Sequence, residues 1–269
     1  MVDPPLLHTT VGRQEWGEYH FRGFRVFAEL AGRLRYWDMV SLSLGGPKIS
    51  ADDAVVLDDV CSCAIAADPR IPALKMGRLV GSYGSPMIAF ASIFLPLEGG
   101  LFGPWSCLPA AHLLLEIEAA VGDNPTEETV EAALRDRMNR GGRIHGFGVP
   151  VREYDERVQA LDKILQQRGR TDRRYWKLMK LAEAVMVRMK GAGANLASGF
   201  AAVCMDIGFK ADQTPFVAIS LVLPCVFATA YEGAEQAPEV LRRIPDEFIE
   251  YLGPPPRISP RAARRRDER

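Results

Sequence analysis

His145-Gly146-Phe147-Gly148-Val149-Pro150-Val151, followed closely by Asp155-Glu156-Arg157, is the stretch from which the rest of the chain can be read. Gly146 and Gly148 leave the backbone free to adopt conformations closed to other residues and let a ligand approach the main chain closely. Asp155 opens a helix, where a carboxylate suits the positive end. The stretch has the shape of an active-site loop, yet an apolar residue, Val149, follows the second glycine. His145 is the nearest side chain able to exchange protons at neutral pH.

Outward from this loop the chain reads as helices, and the fold expected is all-α, with a short β element over Trp16 to Phe24. Gly23 to Leu34 is a turn followed by an amphipathic stretch carrying Phe27, Leu30, Ala31 and Leu34 at helical spacing. Ser50 caps a helix over Ala51 to Ala67, with Asp52 and Asp53 in its first turn. Leu74 to Phe94 reads as one segment rich in small residues, suited to a buried core helix or a subunit interface. Leu108 to Val121 is helical, and His112 within it is expected in the core. Gly122-Asp123-Asn124-Pro125-Thr126 marks a boundary, with Thr126 capping Glu127 to Arg140. Tyr175, Leu178, Met179, Ala182, Val185, Met186 and Met189 form a helical stripe that reads as core. Pro215 to Tyr231 is a mostly apolar helix carrying Pro224, followed by two short segments, Pro238 to Arg243 and Pro245 to Leu252. The organisation expected is a large domain from residues 1–122 and 213–256, a smaller helical domain over 123–212, and a disordered basic tail over 257–269.

Composition removes several classes of function. The 269 residues are 48% hydrophobic and 25% charged, ordinary for a soluble globular chain. A formal net charge of -1 argues against a polyanion binder, so no nucleic-acid partner is expected. Five cysteines, mostly in apolar runs, suit buried thiols in a reducing compartment. Cys61-Ser62-Cys63 is too tight for a zinc pair, so no metal is expected. Met1 to Gln14 lacks the pattern of an export signal. The longest apolar stretch, Met87 to Leu97, is about half of the ~20 residues that cross a bilayer, so the expectation is a cytoplasmic protein without a membrane partner. No Ser-His-Asp order, phosphate-binding loop or dinucleotide fingerprint is visible.

The loop and several further segments, in order along nearly the whole chain, resemble the citrate synthase and citryl-CoA lyase superfamily, in its short lyase-like branch. Tyr19 to Phe24 with Glu29-Leu30-Ala31-Gly32 is similar to the family's opening signature, and Leu42 to Pro47 to its next step. Leu97-Glu98-Gly99-Gly100-Leu101-Phe102-Gly103 resembles a second active-site loop. Asn195 with Asp206-Ile207-Gly208, and Ala218-Ile219-Ser220-Leu221, resemble two downstream segments. The resemblance implies a two-domain helical fold, a homodimer, and a CoA thioester as substrate rather than a bound cofactor.

It also implies where the chemistry would sit. The histidine that holds the enolate oxygen falls on Phe102, and the histidine that polarises the keto group falls on Val149. The carboxylate that removes the methyl proton falls on Ala197 counting back from Gly208, or on Asn195 if Ser198-Gly199 is matched instead. A further histidine falls on Pro69, and a substrate arginine on Leu221. A missing acid or base costs ~10²–10⁴ in rate, and a missing oxyanion donor ~10²–10³. Phe, Val and Ala can neither donate nor accept a proton, so citrate formation or citryl-CoA cleavage by that set is not expected. Arg157 matches the family's second oxo-acid arginine and could clasp a carboxylate. Gly146 and Gly148 match main-chain CoA recognition, Arg152 a CoA phosphate contact, and Arg257 the arginine given to a neighbouring subunit. His145, Glu98 and Asn195 are the candidates for a relocated catalytic set, and Tyr83 and Ser198 could hydrogen-bond a carbonyl. Two readings follow: an enzyme making or breaking a carbon–carbon bond, or hydrolysing a thioester, by a different residue set, and an inactive paralogue serving as partner subunit or CoA-metabolite sensor.

Overall fold

Three short antiparallel strands open the chain, β1 (Gly12–Glu15), β2 (Glu18–Phe21) and β3 (Phe24–Arg25), paired in that order with Gly12 opposite Phe21 and His20 opposite Arg25. The computed structural model describes residues 7–65, 68–97, 103–150, 153–238, 245–255, 257 and 259. Ten α-helices follow the sheet among the described residues. They are α1 (Tyr36–Leu44), α2 (Ala51–Cys63), α3 (Pro72–Ser82), α4 (Pro86–Leu97), α5 (Cys107–Val121), α6 (Glu127–Asn139), α7 (Glu156–Gln167), α8 (Arg174–Lys190), α9 (Leu196–Ile207) and α10 (Thr214–Glu235). The all-α architecture with a small N-terminal β element is therefore the one expected.

Local chemistry sets the helix starts. The Ser50 hydroxyl accepts the Asp53 N–H at 3.0 Å and Thr126 accepts that of Thr129 at 3.3 Å, each satisfying a donor with no intrahelical partner. Three of the expectations from the sequence need correction. The amphipathic stretch after Gly23 is only a π-helical turn over Val26–Leu30: the Glu18 carboxylate caps its start through the N–H groups of Phe27 (2.9 Å) and Ala28 (3.2 Å), the backbone leaves helical geometry at Ala31 (ψ 129°) and Gly32 (φ +74°), and only Leu30 is buried. The segment Leu74 to Phe94 is two helices, broken where Pro86 begins α4 after the turn at Tyr83–Ser85. His112 is exposed on α5 while its neighbours Ala111 and Leu113 are buried, so it is not a core residue.

Buried side chains form two clusters. The larger joins α1, α2, α5–α9 and the first half of α10 around Trp176, Leu114, Ile117 and Leu161. The smaller joins α3, α4 and the second half of α10 through Leu74, Ala89, Ile93 and Val226. α10 runs through both, with exposed Pro224 near the junction. The small residues of α3 face inward: a Cβ on Gly81 would meet Ala89 Cβ at 3.0 Å and the Gly233 carbonyl carbon at 3.1 Å. The opposite faces remain apolar and uncovered, with Met87, Leu95 and Tyr231 more than 60% exposed. α10 lies in an apolar segment, Ala211–Glu235, long enough to cross a membrane by length and composition, longer than the run read from the sequence; 44% of its most apolar window is buried.

The α3–α10 contact is close enough to test. A Cβ on Gly233 would stand 2.9 Å from Arg78 Cα, a backbone atom that cannot yield alone. Gly233→Val is expected to destabilise the fold by about 1–3 kcal/mol through overpacking, read as a lower urea midpoint; an unchanged midpoint would refute the close approach.

Candidate functional site at the start of helix α9

The 146–149 loop lies against the segment entering α9 and is held there by backbone. Gly148 N–H donates to Gly193 O at 2.7 Å, Asn195 N–H donates to Gly146 O at 2.9 Å, and Phe147 forms an isolated antiparallel bridge with Ala194. Side chains from α9 complete the hold. Asn195 Nδ2 donates to Gly148 O at 2.9 Å, and buried Ser198 Oγ donates to Gly146 O at 2.6 Å. Both loop glycines have positive φ, +87° at Gly146 and +81° at Gly148. Gly146 is required twice over, because a Cβ there would also sit 2.6 Å from Ser198 Cβ. The loop's geometry therefore needs no side chain of its own.

Asp155 ties this loop to Arg157. Its carboxylate is buried and accepts from Arg157 N (3.1 Å), Arg157 Nε (2.8 Å), Arg157 Nη2 (2.7 Å) and Leu196 N (2.9 Å). One side chain thus caps α7, steers a guanidinium and caps α9. Burial pushes the Asp155 carboxyl up, but the Arg157 guanidinium and the Leu196 and Arg157 N–H groups outweigh it and hold it below the usual carboxylate range. Arg157 in turn is strengthened as a cation chiefly by its hydrogen bonds to Asp155. Behind the loop, Glu183 Oε1 accepts Ala194 N–H at 3.0 Å, so α8 also braces the turn.

The sequence-derived candidates divide accordingly. Gly146, Gly148, Asn195, Ala197 and Arg157 gather around the first turn of α9, with Val149 adjoining Gly148. Asn195 is engaged at both ends, Nδ2 on Gly148 O and Oδ1 on Ala197 N–H at 3.0 Å. His145 is half-buried; burial lowers its pKa, and the Arg137 and Arg143 charges lower it further, so its ring is predominantly neutral at pH 7. Leu221 is buried in the larger core, its carbonyl accepting from the Cys61 thiol at 3.2 Å. Arg257 is exposed in the C-terminal segment and forms no hydrogen bond or ion pair with a described residue. Glu98, Phe102 and Arg152 lie outside the described residues. An open groove of about 320 Å³ between α7 and α8 reaches Asp155 and Ala194 but not Arg157, Val149 or Ala197. The clamping roles of Asp155 and Glu183 were not read from the sequence; the short spacing of Asp155 to Arg157 was a signal for the first, and nothing local signals the second.

No protein-family model matches the sequence, and no curated protein matches it. Solved structures do. Citryl-CoA lyase from Hydrogenobacter thermophilus superposes with a TM-score of 0.78 at 19% identity, covering 97% of this chain and 100% of that one. The chain has the citrate synthase–citryl-CoA lyase fold. ATP citrate lyase from Methanosaeta concilii, solved with (3S)-citryl-CoA, gives 0.67 at 16% identity over 94% of this chain and 43% of that chain. Citrate synthase from Thermoplasma acidophilum, solved with carboxymethyl coenzyme A and oxaloacetate, gives 0.61 at 18% identity over 81% and 57% of the two chains. The fold is thus shared with a citryl-CoA lyase, an ATP citrate lyase and a citrate synthase.

Removing Asp155 should loosen both helix starts. Asp155→Ala strands the N–H groups of Leu196 and Arg157, at a cost of about 2–4 kcal/mol after allowance for the partly exposed guanidinium. Because the folded pKa is depressed, this stabilisation is fully present above the ordinary aspartate value of about 3.9 and is lost as pH falls through the folded value. The gap in urea midpoint between wild type and Asp155→Ala should therefore hold from neutral pH down to about 4 and narrow below it. A gap that instead widens on acidification would contradict the assignment.

Proposed function

We propose that this chain binds a CoA thioester along the 146–149 loop and acts on it together with a carboxylate-bearing compound held by Arg157, making or breaking a carbon–carbon bond or hydrolysing the thioester. The observation that carries this reading is the pairing of a glycine loop, secured by backbone bonds to α9, with a guanidinium aimed by a buried carboxylate beside it. The shared fold supports the thioester, since structural neighbours hold CoA compounds. Residues 123–212 act as the smaller domain, and the chain works as an intracellular homodimer joined through the uncovered apolar face of α3, α4 and α10.

The proton chemistry in this reading falls to His145, a neutral imidazole able to accept a proton, with Glu98 as a second carboxylate. Val149, Ala197 and Phe102 shape the site without exchanging protons, and Leu221 fills core. Arg152 meets a CoA phosphate, and Arg257 reaches the neighbouring subunit. A second reading, an inactive partner subunit or CoA-metabolite sensor, is favoured by one observation: Asn195, the polar alternative to Ala197 for the methyl-proton base, has both ends of its amide tied to backbone.

Calorimetric titration with acetyl-CoA and longer acyl-CoAs separates the outcomes. Saturable binding with turnover whose acidic limb lies below about pH 6.5, abolished in His145→Gln, is expected for the enzyme. Binding without turnover of any thioester selects the sensor, and indifference to every thioester, together with co-purification with a larger homologue, selects the inactive partner subunit. Sedimentation equilibrium should give a dimer that Met87→Glu with Leu95→Glu converts to monomer; an unaltered dimer would place the interface elsewhere.

A further inference from the structure

The charge at the head of α9 limits which carboxylate compound Arg157 can take. Arg157 engages Asp155 through Nε and Nη2, which leaves both Nη1 hydrogens and one on Nη2 without a partner among the described residues. Its side chain is 37% exposed, so this edge is open to a ligand. The pair as a whole is neutral, because the Asp155 carboxylate sits against the same guanidinium at 2.7 Å.

The start of α9 does not supply the missing positive potential, because it is already closed. Leu196 N–H is taken by Asp155 Oδ2 at 2.9 Å and Ala197 N–H by Asn195 Oδ1 at 3.0 Å. Ser198 N–H (3.1 Å) and Gly199 N–H (3.2 Å) turn back to Asn195 O. No N–H of this first turn is left for an anion, and the Asp155 charge has already answered the dipole. The residues next to this turn, Val149 and Ala197, are half-buried and apolar. They offer hydrocarbon contact and no donor.

We infer that the second substrate is a monocarboxylate with an aliphatic chain, its carboxylate on the free edge of Arg157 and its chain against Val149 and Ala197, and that dicarboxylates are rejected. The inference rests on the proposed use of Arg157 for a carboxylate. A single negative charge on the free edge meets one guanidinium whose charge is balanced by Asp155. A second carboxylate would have to be desolvated among Val149, Ala197 and the Asp155 charge, with no cation of its own at the head of α9 among the described residues.

The test is calorimetric titration of the full chain, with and without saturating CoA, using hexanoate and 2-oxohexanoate against succinate, oxaloacetate and citrate. The six-carbon monocarboxylates should bind roughly tenfold or more tightly than any di- or tricarboxylate, and Arg157→Gln should lose that binding by a similar factor. Asp155→Asn, checked for folding by its melting curve, raises the site's charge by one unit and should shift preference toward dicarboxylates. If that variant fails to fold, the wild-type ranking and Arg157→Gln still decide. Equal or tighter binding of oxaloacetate or citrate by the wild type overturns the inference, as does absence of monocarboxylate binding. Binding of CoA with no carboxylate selectivity overturns this inference alone. Carboxylate selectivity without CoA binding overturns the thioester reading alone.

Discussion

The buried carboxylate of Asp155 is the interaction on which the rest of the site depends. A carboxylate out of water is tolerated only when charge and hydrogen bonds replace its hydration. Here four N–H donors do so, three from Arg157 and one from Leu196. The consequence is geometric. α7 and α9, far apart in sequence, begin at one shared point, and a long, flexible arginine is fixed at its base while its outer edge stays free. That arrangement turns a surface cation into a directed one. It also links the site to stability, because protonating Asp155 would release both helix starts together.

The second constraint is that the loop is shaped from outside. Gly146 and Gly148 supply backbone freedom, while Asn195, Ser198 and Gly193 supply the bonds. Since neither Phe147 nor Val149 contributes a polar group, position 149 could exchange an ionisable side chain for an apolar one without disturbing the loop. The same independence applies to Ala197, whose N–H rather than its side chain carries the structural duty. Fold and side-chain identity are therefore separable at these two positions, because the scaffold there is held by main chain and caps. Leu221 differs, because its side chain has joined the core, and a charged residue there would need a partner that the surrounding apolar side chains do not offer.

Much of the helical scaffold was legible in the residues. Ser50 and Thr126 announce helix starts by a local mechanism, and the Met179–Met186 stripe is buried as its spacing requires. The order of the glycine motifs carried the fold, which overall sequence similarity is too low to show. The apolar spacing after Gly23 promised a helix, but the backbone turns out of helical geometry at Ala31 and Gly32 after a single turn whose start Glu18 caps. The periodicity from Leu74 to Phe94 hid a break that Gly84 and Pro86 could have signalled. For the site, the sequence supplied the components but not their engagement. Asn195 looked available for chemistry, and only its contacts with Gly148 and Ala197 reveal that its amide is occupied.

These engagements together narrow the chemistry. A site that makes or breaks bonds beside a thioester needs one group to move a proton and another to bear negative charge. The described residues at the head of α9 supply a cation with a free edge, but its own counter-charge is built in. His145 is neutral at pH 7 and therefore in the form that can accept a proton, but burial and the Arg137 and Arg143 charges disfavour its protonated form and make it a weak base that supplies no positive charge to an oxyanion. The loop's hydrogen bonds are closed and it carries no positioned acid. Under the proposed function, binding and orientation would therefore carry most of the rate, and the apolar bulk of the proposed substrate would replace the contacts of a second carboxylate.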